Sequence, residues 1–186
     1  MPAQVPHGFP DTLAAWSVDD LLEVYCIAPE RYREVIAGLT PEELTQRPEP
    51  GEWSVIEVVM HVADAEAVAA HRIRTIWAEP GNTLSPYNED RWSRELRYNE
   101  ASLDDLEDAL VLFGALRSAT TRLFRMATEA DWQKACPHPE WGQLTLRNML
   151  DLYTEHGERH IEQILAARHV IGRVLDYQVL ITERLY

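Results

Sequence analysis

Four long stretches of the chain carry apolar residues at helical spacing, and each follows a serine or threonine that can cap a helix. Their predicted ranges are 17–39, 54–78, 102–126 and 145–168. The capping hydroxyls of Ser17, Ser54, Ser102 and Thr145 can accept hydrogen bonds from the free amides of a first helical turn. No convincing period-two strand pattern appears elsewhere in the sequence. The pattern predicts an all-α protein, a four-helix bundle.

Shorter features divide the rest of the chain. Pro29 lies within the first helical stretch and predicts a kink or a split, because proline lacks an amide donor. Short helical turns are expected at residues 40–43, 90–96 and 128–132, and the segment CPHPEWGQ is expected to be irregular. The C-terminal tail, residues 169–186, is predicted either as a helix or as an extended arm.

The link between the second and third helices is the feature that predicts the topology. It spans residues 79–101, whereas adjacent antiparallel helices usually need about 2–8 linking residues. A link of this length suits a crossover that returns along the bundle before the third helix begins. We therefore expect an up-down-down-up bundle, with the fourth helix antiparallel to the second.

Composition limits the classes of partner. The chain has 186 residues, of which 46% are hydrophobic, which suits one domain over residues 1–186. Seventeen Lys and Arg against 31 Asp and Glu give a formal charge of -14. Such a surface repels phosphate backbones and anionic lipids, so neither nucleic acid nor membrane is an expected partner.

The same composition predicts a reduced, cytoplasmic protein. The first residues contain three prolines and no Lys or Arg, unlike a signal peptide, and no apolar run approaches the roughly 20 residues of a membrane span. The two cysteines are too few for a disulfide scaffold. Cys26 is expected to be a buried thiol and Cys136 a thiol in a loop.

Three histidines are the strongest candidates for chemistry. His156 and His160 lie one turn apart beside the apolar stripe of the fourth helix, so both imidazoles can reach one ion. His61 lies about seven residues, or roughly 10 Å, into the second helix. The pair lies roughly 15 Å from the end of its own helix, so antiparallel packing brings all three to nearly one level. They predict a metal site with an open coordination position.

Alternatives remain at each position. The pair at 156 and 160 also fits a polar helix edge, and a lone His61 also fits a hydrogen-bonded core residue. The other histidines, at positions 7, 71, 138 and 169, are expected in solvated or capping roles. Glu66 lies in the apolar arc of the second helix, where a buried carboxylate needs a partner. An ion pair with Arg117 or Arg122 is preferred to a catalytic role.

Three motifs resemble the DinB-like superfamily, and in particular its YfiT-like branch of metal-dependent hydrolases and thiol transferases. They are GEWSVIEVVMHVADAE, YNEDRW and EHGERHIEQI, and the resemblance runs from about Pro48 to Leu165. It implies a divalent metal, commonly zinc or nickel, held by His61, His156 and His160. The sequence departs from the family where Met60 replaces the first histidine of a frequent doublet, which makes the pocket less polar.

The resemblance also implies a function. It suggests a metal-dependent enzyme that activates a low-molecular-weight thiol of the bacillithiol type for S-transfer to an electrophile, or water for hydrolysis. No nucleophile motif is present, so no catalytic side chain is assigned. The alternative is a non-catalytic, stress-related metal-binding bundle that serves as a binding or assembly module. A homodimer and a monomer are both left open.

Substrate-binding candidates follow from the predicted crossover, which would pass over the metal end of the bundle. Tyr87 and Trp92 are expected as pocket walls. Arg159 can hold an anionic group of the thiol or form a surface salt bridge. Gln163, one turn beyond His160, is expected to steady bound water or a ligand.

Overall fold

The computed structural model describes Leu13 and residues 15–185, and four long helices dominate this part of the chain. In chain order the elements are α1 Val18–Ile36, α2 Pro41–Thr45, α3 Val55–Ala78, α4 Glu89–Glu95, a 3-10 turn Tyr98–Glu100, α5 Leu103–Phe124, α6 Glu129–Trp132, β1 Ala135–His138, β2 Gly142–Thr145 and α7 Leu146–Val170. The hydroxyls of Ser17, Ser102 and Thr145 accept amide hydrogen bonds from the first turns, as predicted. The predicted four-helix bundle is confirmed.

Two apolar clusters fix the directions of the helices. At one end, Leu21 of α1 and Leu146 of α7 pack with Ile76 and Phe124, near the ends of α3 and α5. The other end joins the last turns of α1 and α7 to the first turns of α3 and α5, through Val35, Ile164, Val55 and Leu106. Thus α1 and α7 run in one direction and α3 and α5 in the other. This is the predicted up-down-down-up order.

A buried ion pair lies between the two clusters. The Arg117 guanidinium donates from Nε to Glu66 Oε2 at 2.6 Å, and both side chains are 1% exposed. Tyr25 donates its hydroxyl hydrogen bond to the same carboxylate. The preference for an ion pair at Glu66 is confirmed, with Arg117 as the partner, and Arg122 is exposed.

Of the kink and the split expected at Pro29, the split is wrong, because α1 continues through the proline. Proline leaves the carbonyl oxygen of Tyr25 without its helical donor. Arg117 Nη1 donates to that oxygen at 3.3 Å, so the ion-pair layer also satisfies the carbonyl. The cost of an internal proline is thereby reduced.

A small hairpin corrects the expectation of a purely α-helical chain with an irregular segment before the fourth helix. Strands β1 and β2 pair antiparallel, with Ala135 opposite Thr145 and His138 opposite Gly142. Gly142 has a φ of 74°, which suits glycine at the end of a three-residue loop. The carbonyls of Ala135 and Pro137 accept amide hydrogen bonds from Gly81 and Leu84. The crossover therefore holds the hairpin beside the bundle.

Both cysteine expectations are wrong. Cys26 lies on the outer face of α1 and is exposed, whereas Cys136 is buried in β1. Cys136 packs with Leu144 of the paired strand in the core, which a loop assignment could not anticipate.

The tail takes the extended form of the two alternatives. It follows the end of α7 without regular secondary structure as far as Leu185. Arg31 donates to the Gln178 carbonyl oxygen, and the Leu180 amide donates to Glu158, so the tail is tied to α1 and α7. Ile181 and Leu185 are at most 2% exposed and belong to one core cluster.

None of the helices in the described residues is both long enough and apolar enough to cross a bilayer.

Candidate metal centre

Antiparallel packing of α3 and α7 brings the three predicted histidines together. His61 Nε2 lies 3.2 Å from His156 Nε2, and His160 Nε2 lies 3.2 Å from the same atom. All three ligand nitrogens lie within 4.8 Å of one another. His61 and His156 are buried, and His160 is partly buried. Within the described part of the chain, this is the one cluster of three potential ligands at such short range.

The spacing of the nitrogens fits a common ion. Zinc–nitrogen bonds of about 2.0–2.1 Å place two ligands of a tetrahedral site about 3.3–3.4 Å apart. Two of the three nitrogen pairs are within about 0.2 Å of that separation. Three protein ligands leave a coordination position for water or substrate. The residues present therefore fit a divalent ion with an open site.

Hydrogen bonds to the opposite ring nitrogens orient two of the ligands. Gln163 Oε1 is an acceptor only, and it lies 2.7 Å from His160 Nδ1. The Nδ1 atom must therefore carry the proton, which leaves a lone pair on Nε2. The Tyr87 hydroxyl lies 3.3 Å from His61 Nδ1 and can accept from it in the same way. Gln163 and Tyr87 thus support the metal-binding tautomers.

The protein environment keeps the rings neutral, which is the form that binds metal. Burial, followed by the charges of His160 and Arg159, lowers the pKa of His61 to about 2. Burial also lowers the pKa of His160 to about 4, although its hydrogen bond to Gln163 opposes the shift. The pKa of His156 is lowered mainly by burial and then by the other two histidines. At neutral pH, protons do not compete for these nitrogens.

Two residues beside the histidines were missed from sequence. The Trp53 ring lies 4.9 Å from the His61 ring, and Glu89 Oε2 lies 3.8 Å from His61 Nε2. Glu89 begins α4 within the crossover, so it reaches the centre only through the fold of that long link. Trp53 immediately precedes the Ser54 cap and lies in the motif GEWSVIEVVMHVADAE, and these were the signals that could have located it. Partial desolvation of the Glu89 carboxyl beside the histidines, followed by the charge of Asp90, raises its pKa.

The predicted substrate residues lie around the centre in different roles. Tyr87 lines a cavity and contacts His61, while Trp92 packs edge-on against Tyr87 at 4.9 Å without lining the cavity itself. Arg159 donates to Glu155 Oε2 at 3.0 Å and also lines a more open cleft beside His160. Gln163 lines that cleft, but its side-chain oxygen is engaged by His160.

The cavity that Tyr87 lines has a volume of about 250 Å³. It lies between α3, the crossover, the hairpin and α7, and its lining includes His156 and His138. Of the two roles expected for His138, the solvated one is wrong, because the hairpin carries the side chain inward and only 4% of it is exposed. Its contact with the Glu140 amide fits the capping alternative. His71 and His169 are exposed, in agreement with their expected solvated roles, and His7 lies outside the described residues.

Comparison with known proteins adds a family and several relatives. A model of the DinB superfamily matches residues 27–164. A protein of Geobacillus kaustophilus named "Putative metal-dependent hydrolase" is 30% identical over 173 residues, covering 90% of this chain and 94% of that protein.

Solved structures show the same fold. The structure of YfiT from Bacillus subtilis, described as "a probable metal-dependent hydrolase with an unusual four-helix bundle topology", superposes with a TM-score of 0.77. It is 26% identical, and the match covers 83% of this chain and 87% of that one. A mycothiol-dependent maleylpyruvate isomerase superposes with a TM-score of 0.64 at 10% identity, covering 82% of this chain and 62% of that one.

Proposed function

This chain belongs to the DinB superfamily, and we propose that it is a divalent-metal-dependent enzyme that transfers a low-molecular-weight thiol to an electrophile. Hydrolysis by water is the close variant of the same reaction. The convergence of three neutral imidazoles on one open site supports this proposal most strongly. A divalent ion, zinc or nickel, would lower the pKa of a thiol or water bound to it.

The ligands and their partners hold the site in place. His61, His156 and His160 supply three nitrogen donors, and Gln163 fixes the ring orientation of His160. Because the rings are fixed before substrate binds, little reorganisation is needed during reaction. Tyr87 fixes His61 and forms one wall of the substrate cavity.

Glu89 is the group best placed to move a proton. Its Oε2 lies 3.8 Å from His61 Nε2, and the side chain remains accessible from solvent. Glu89 would take the proton of a thiol held at the three histidines. The freed sulfur electron pair would form the bond to the electrophilic carbon, and the leaving group would depart with the electrons of the bond that breaks.

A thiol is preferred to water because of the resemblance to the YfiT-like branch. The chain has no recognised nucleophile motif of its own, and the resemblance to the YfiT-like branch points to thiol chemistry. A maleylpyruvate isomerase with the same fold is mycothiol-dependent. At 10% identity, the likeness to that isomerase concerns the fold alone. The acidic surface is consistent with a small-molecule partner in the cytoplasm.

The test is conjugation of bacillithiol to monochlorobimane by the metal-loaded protein. We expect a rate above the uncatalysed reaction that disappears on chelation and returns with zinc or nickel. Glu89→Gln should lower kcat by on the order of 10²–10⁴-fold if Glu89 acts as the general base. Glu95→Gln, which changes an exposed carboxylate at the other end of the same helix, is the matched control.

Replacement of both cysteines separates a cofactor thiol from a protein thiol. The double variant Cys26→Ser and Cys136→Ala should keep its activity, because Cys136 is buried and neither cysteine belongs to the site. Conjugation that vanished in this variant, or that persisted without metal, would refute the proposal. If no bacterial thiol gave a rate above background, the metal-binding module would be the better interpretation.

A further inference from the structure

His138 has a buried donor that the proposed reaction does not use. Its Nδ1 accepts a hydrogen bond from the Glu140 amide at 3.3 Å, so in the neutral ring the proton lies on Nε2. Burial lowers the pKa of His138, which keeps the ring neutral. The Nε2 atom is buried and has no hydrogen-bond partner among the described residues. An unpaired buried donor is costly, which suggests that a ligand supplies the acceptor.

Arg72 presents a buried positive charge without a carboxylate partner at the same cavity. It is 3% exposed, and its Nε and Nη2 donate to the Ser85 carbonyl oxygen while Nη1 donates to the Tyr153 hydroxyl at 3.3 Å. These contacts use three of the five guanidinium N–H groups. No carboxylate among the described residues pairs with Arg72. A buried cation with neutral acceptors only is an incomplete arrangement, because burial of a charge normally requires a counter-charge.

Both groups face one ligand-sized space. Arg72 and His138 line the same cavity of about 250 Å³, and the positive charge of Arg72 acts on the His138 ring. His156 of the metal centre also lines this cavity. A ligand anchored at the arginine can therefore extend toward the three histidines.

We propose that Arg72 and the Nε2–H group of His138 form a carboxylate-binding subsite, which holds a small substrate with its reacting end at the metal centre. This inference rests on the proposed function for the identity of the reacting end, whereas the anion subsite stands on the cavity alone. The guanidinium would bind the carboxylate with its two remaining N–H groups, and His138 would donate to one carboxylate oxygen.

The rim of the cavity narrows the class of ligand. Glu89, Asp90 and Glu140 line it and are exposed, so a highly charged anion such as a nucleotide phosphate is repelled. The volume lies below the roughly 300–1,000 Å³ of pockets for drug-sized ligands. A small monocarboxylate, or a zwitterion whose ammonium group lies at the acidic rim, fits both observations.

Three matched probes test the subsite in the zinc-loaded, full-length protein. Butyrate carries the carboxylate alone, butyramide replaces it with a neutral group of the same shape, and 3-mercaptopropionate adds a thiol. Binding is followed by NMR titration of the Trp141 indole, which lines the cavity. We expect butyrate to bind on the order of 10- to 100-fold more tightly than butyramide, the range for hydrogen bonds to a charged group.

Single substitutions test whether Arg72 and His138 cause the preference for butyrate over butyramide. Arg72→Gln and His138→Leu should each reduce the preference for butyrate by about tenfold or more. Arg74→Gln and His71→Gln, which change exposed residues of the same helix, should leave it unchanged. Should Arg72→Gln lose helicity by circular dichroism, His138→Leu carries the test, because His138 takes no part in holding the crossover to α3.

The outcomes separate the subsite from the thiol reaction. Equal affinity for butyrate and butyramide, or equal effects of Arg72→Gln and Arg74→Gln, would overturn the subsite and leave thiol transfer standing. If 3-mercaptopropionate binds no more tightly than butyrate while the preference for butyrate depends on Arg72 and His138, the thiol proposal fails and the subsite stands.

Discussion

Replacing Glu66 by glutamine removes the negative charge from the centre of the bundle while keeping the shape of the side chain. Glu66 is the one carboxylate among the described residues within 4.0 Å of the Arg117 guanidinium, and both side chains are 1% exposed. The amide oxygen of the introduced glutamine can still accept from Tyr25. The variant therefore leaves Arg117 as a buried cation without a counter-charge.

The expected cost is about 3–5 kcal/mol in the free energy of unfolding, the range for removal of one partner from a buried ion pair. Natural domains have total stabilities of about 5–15 kcal/mol, so the loss is a large fraction of the whole. Urea denaturation followed by circular dichroism measures it. A chelator in both samples removes the contribution of metal binding to stability.

An exposed ion pair provides the control. Arg33 and Glu107 join α1 to α5 at 2.7 Å, but their side chains are 46% and 57% exposed. Glu107→Gln should cost less than about 1 kcal/mol. Adding Arg117→Met to Glu66→Gln should cost less than the sum of the two single changes. The reasoning is refuted if Glu66→Gln destabilises the protein no more than Glu107→Gln does.

Two further substitutions test the site and the tail. Gln163→Leu should weaken metal binding by about 10- to 100-fold, because His160 loses the partner that fixes its tautomer. Competition with a zinc indicator measures the affinity. An affinity equal to that of the control variant Gln178→Leu would contradict this role of Gln163. Ile181→Ala should cost about 2–5 kcal/mol in unfolding free energy, because Ile181 is fully buried in a core cluster. Val174 lies in the same tail but is 68% exposed, so Val174→Ala should change the free energy of unfolding by less than about 0.5 kcal/mol. Equal effects of the two changes would show that the tail does not pack as described.

Helix ranges and topology could be predicted because they depend on local signals. The Ser17, Ser102 and Thr145 caps mark helix starts through contacts within three residues. The length of the 79–101 link then limits the order of the helices. Given that order, His61 and the pair His156 and His160 lie at nearly the same height along the bundle. This predicted that the three side chains would meet. The partner of Glu66 followed from burial, since a buried carboxylate needs a cation.

The missed features depend on contacts between distant segments. The hairpin consists of two four-residue strands, one of which contains Pro137, and it carries no period-two signal. The burial of Cys136 and His138 follows from that hairpin, so both were misassigned together. Glu89 reaches the metal centre only because the crossover folds over α3. Arg72 is buried by contact with Ser85 and Tyr153, which sequence spacing does not reveal.

The most direct test of the metal centre is X-ray absorption spectroscopy of the zinc-loaded protein, combined with its metal content. We predict one ion per chain bound by three imidazole nitrogens at about 2.0–2.1 Å. His160→Ala should lose stoichiometric binding but keep its helicity, because the two apolar clusters hold the bundle without metal. The exposed His71→Ala should bind one ion like the unmodified chain. Zinc bound by fewer than three imidazoles, or full binding in His160→Ala, would contradict the three-histidine centre.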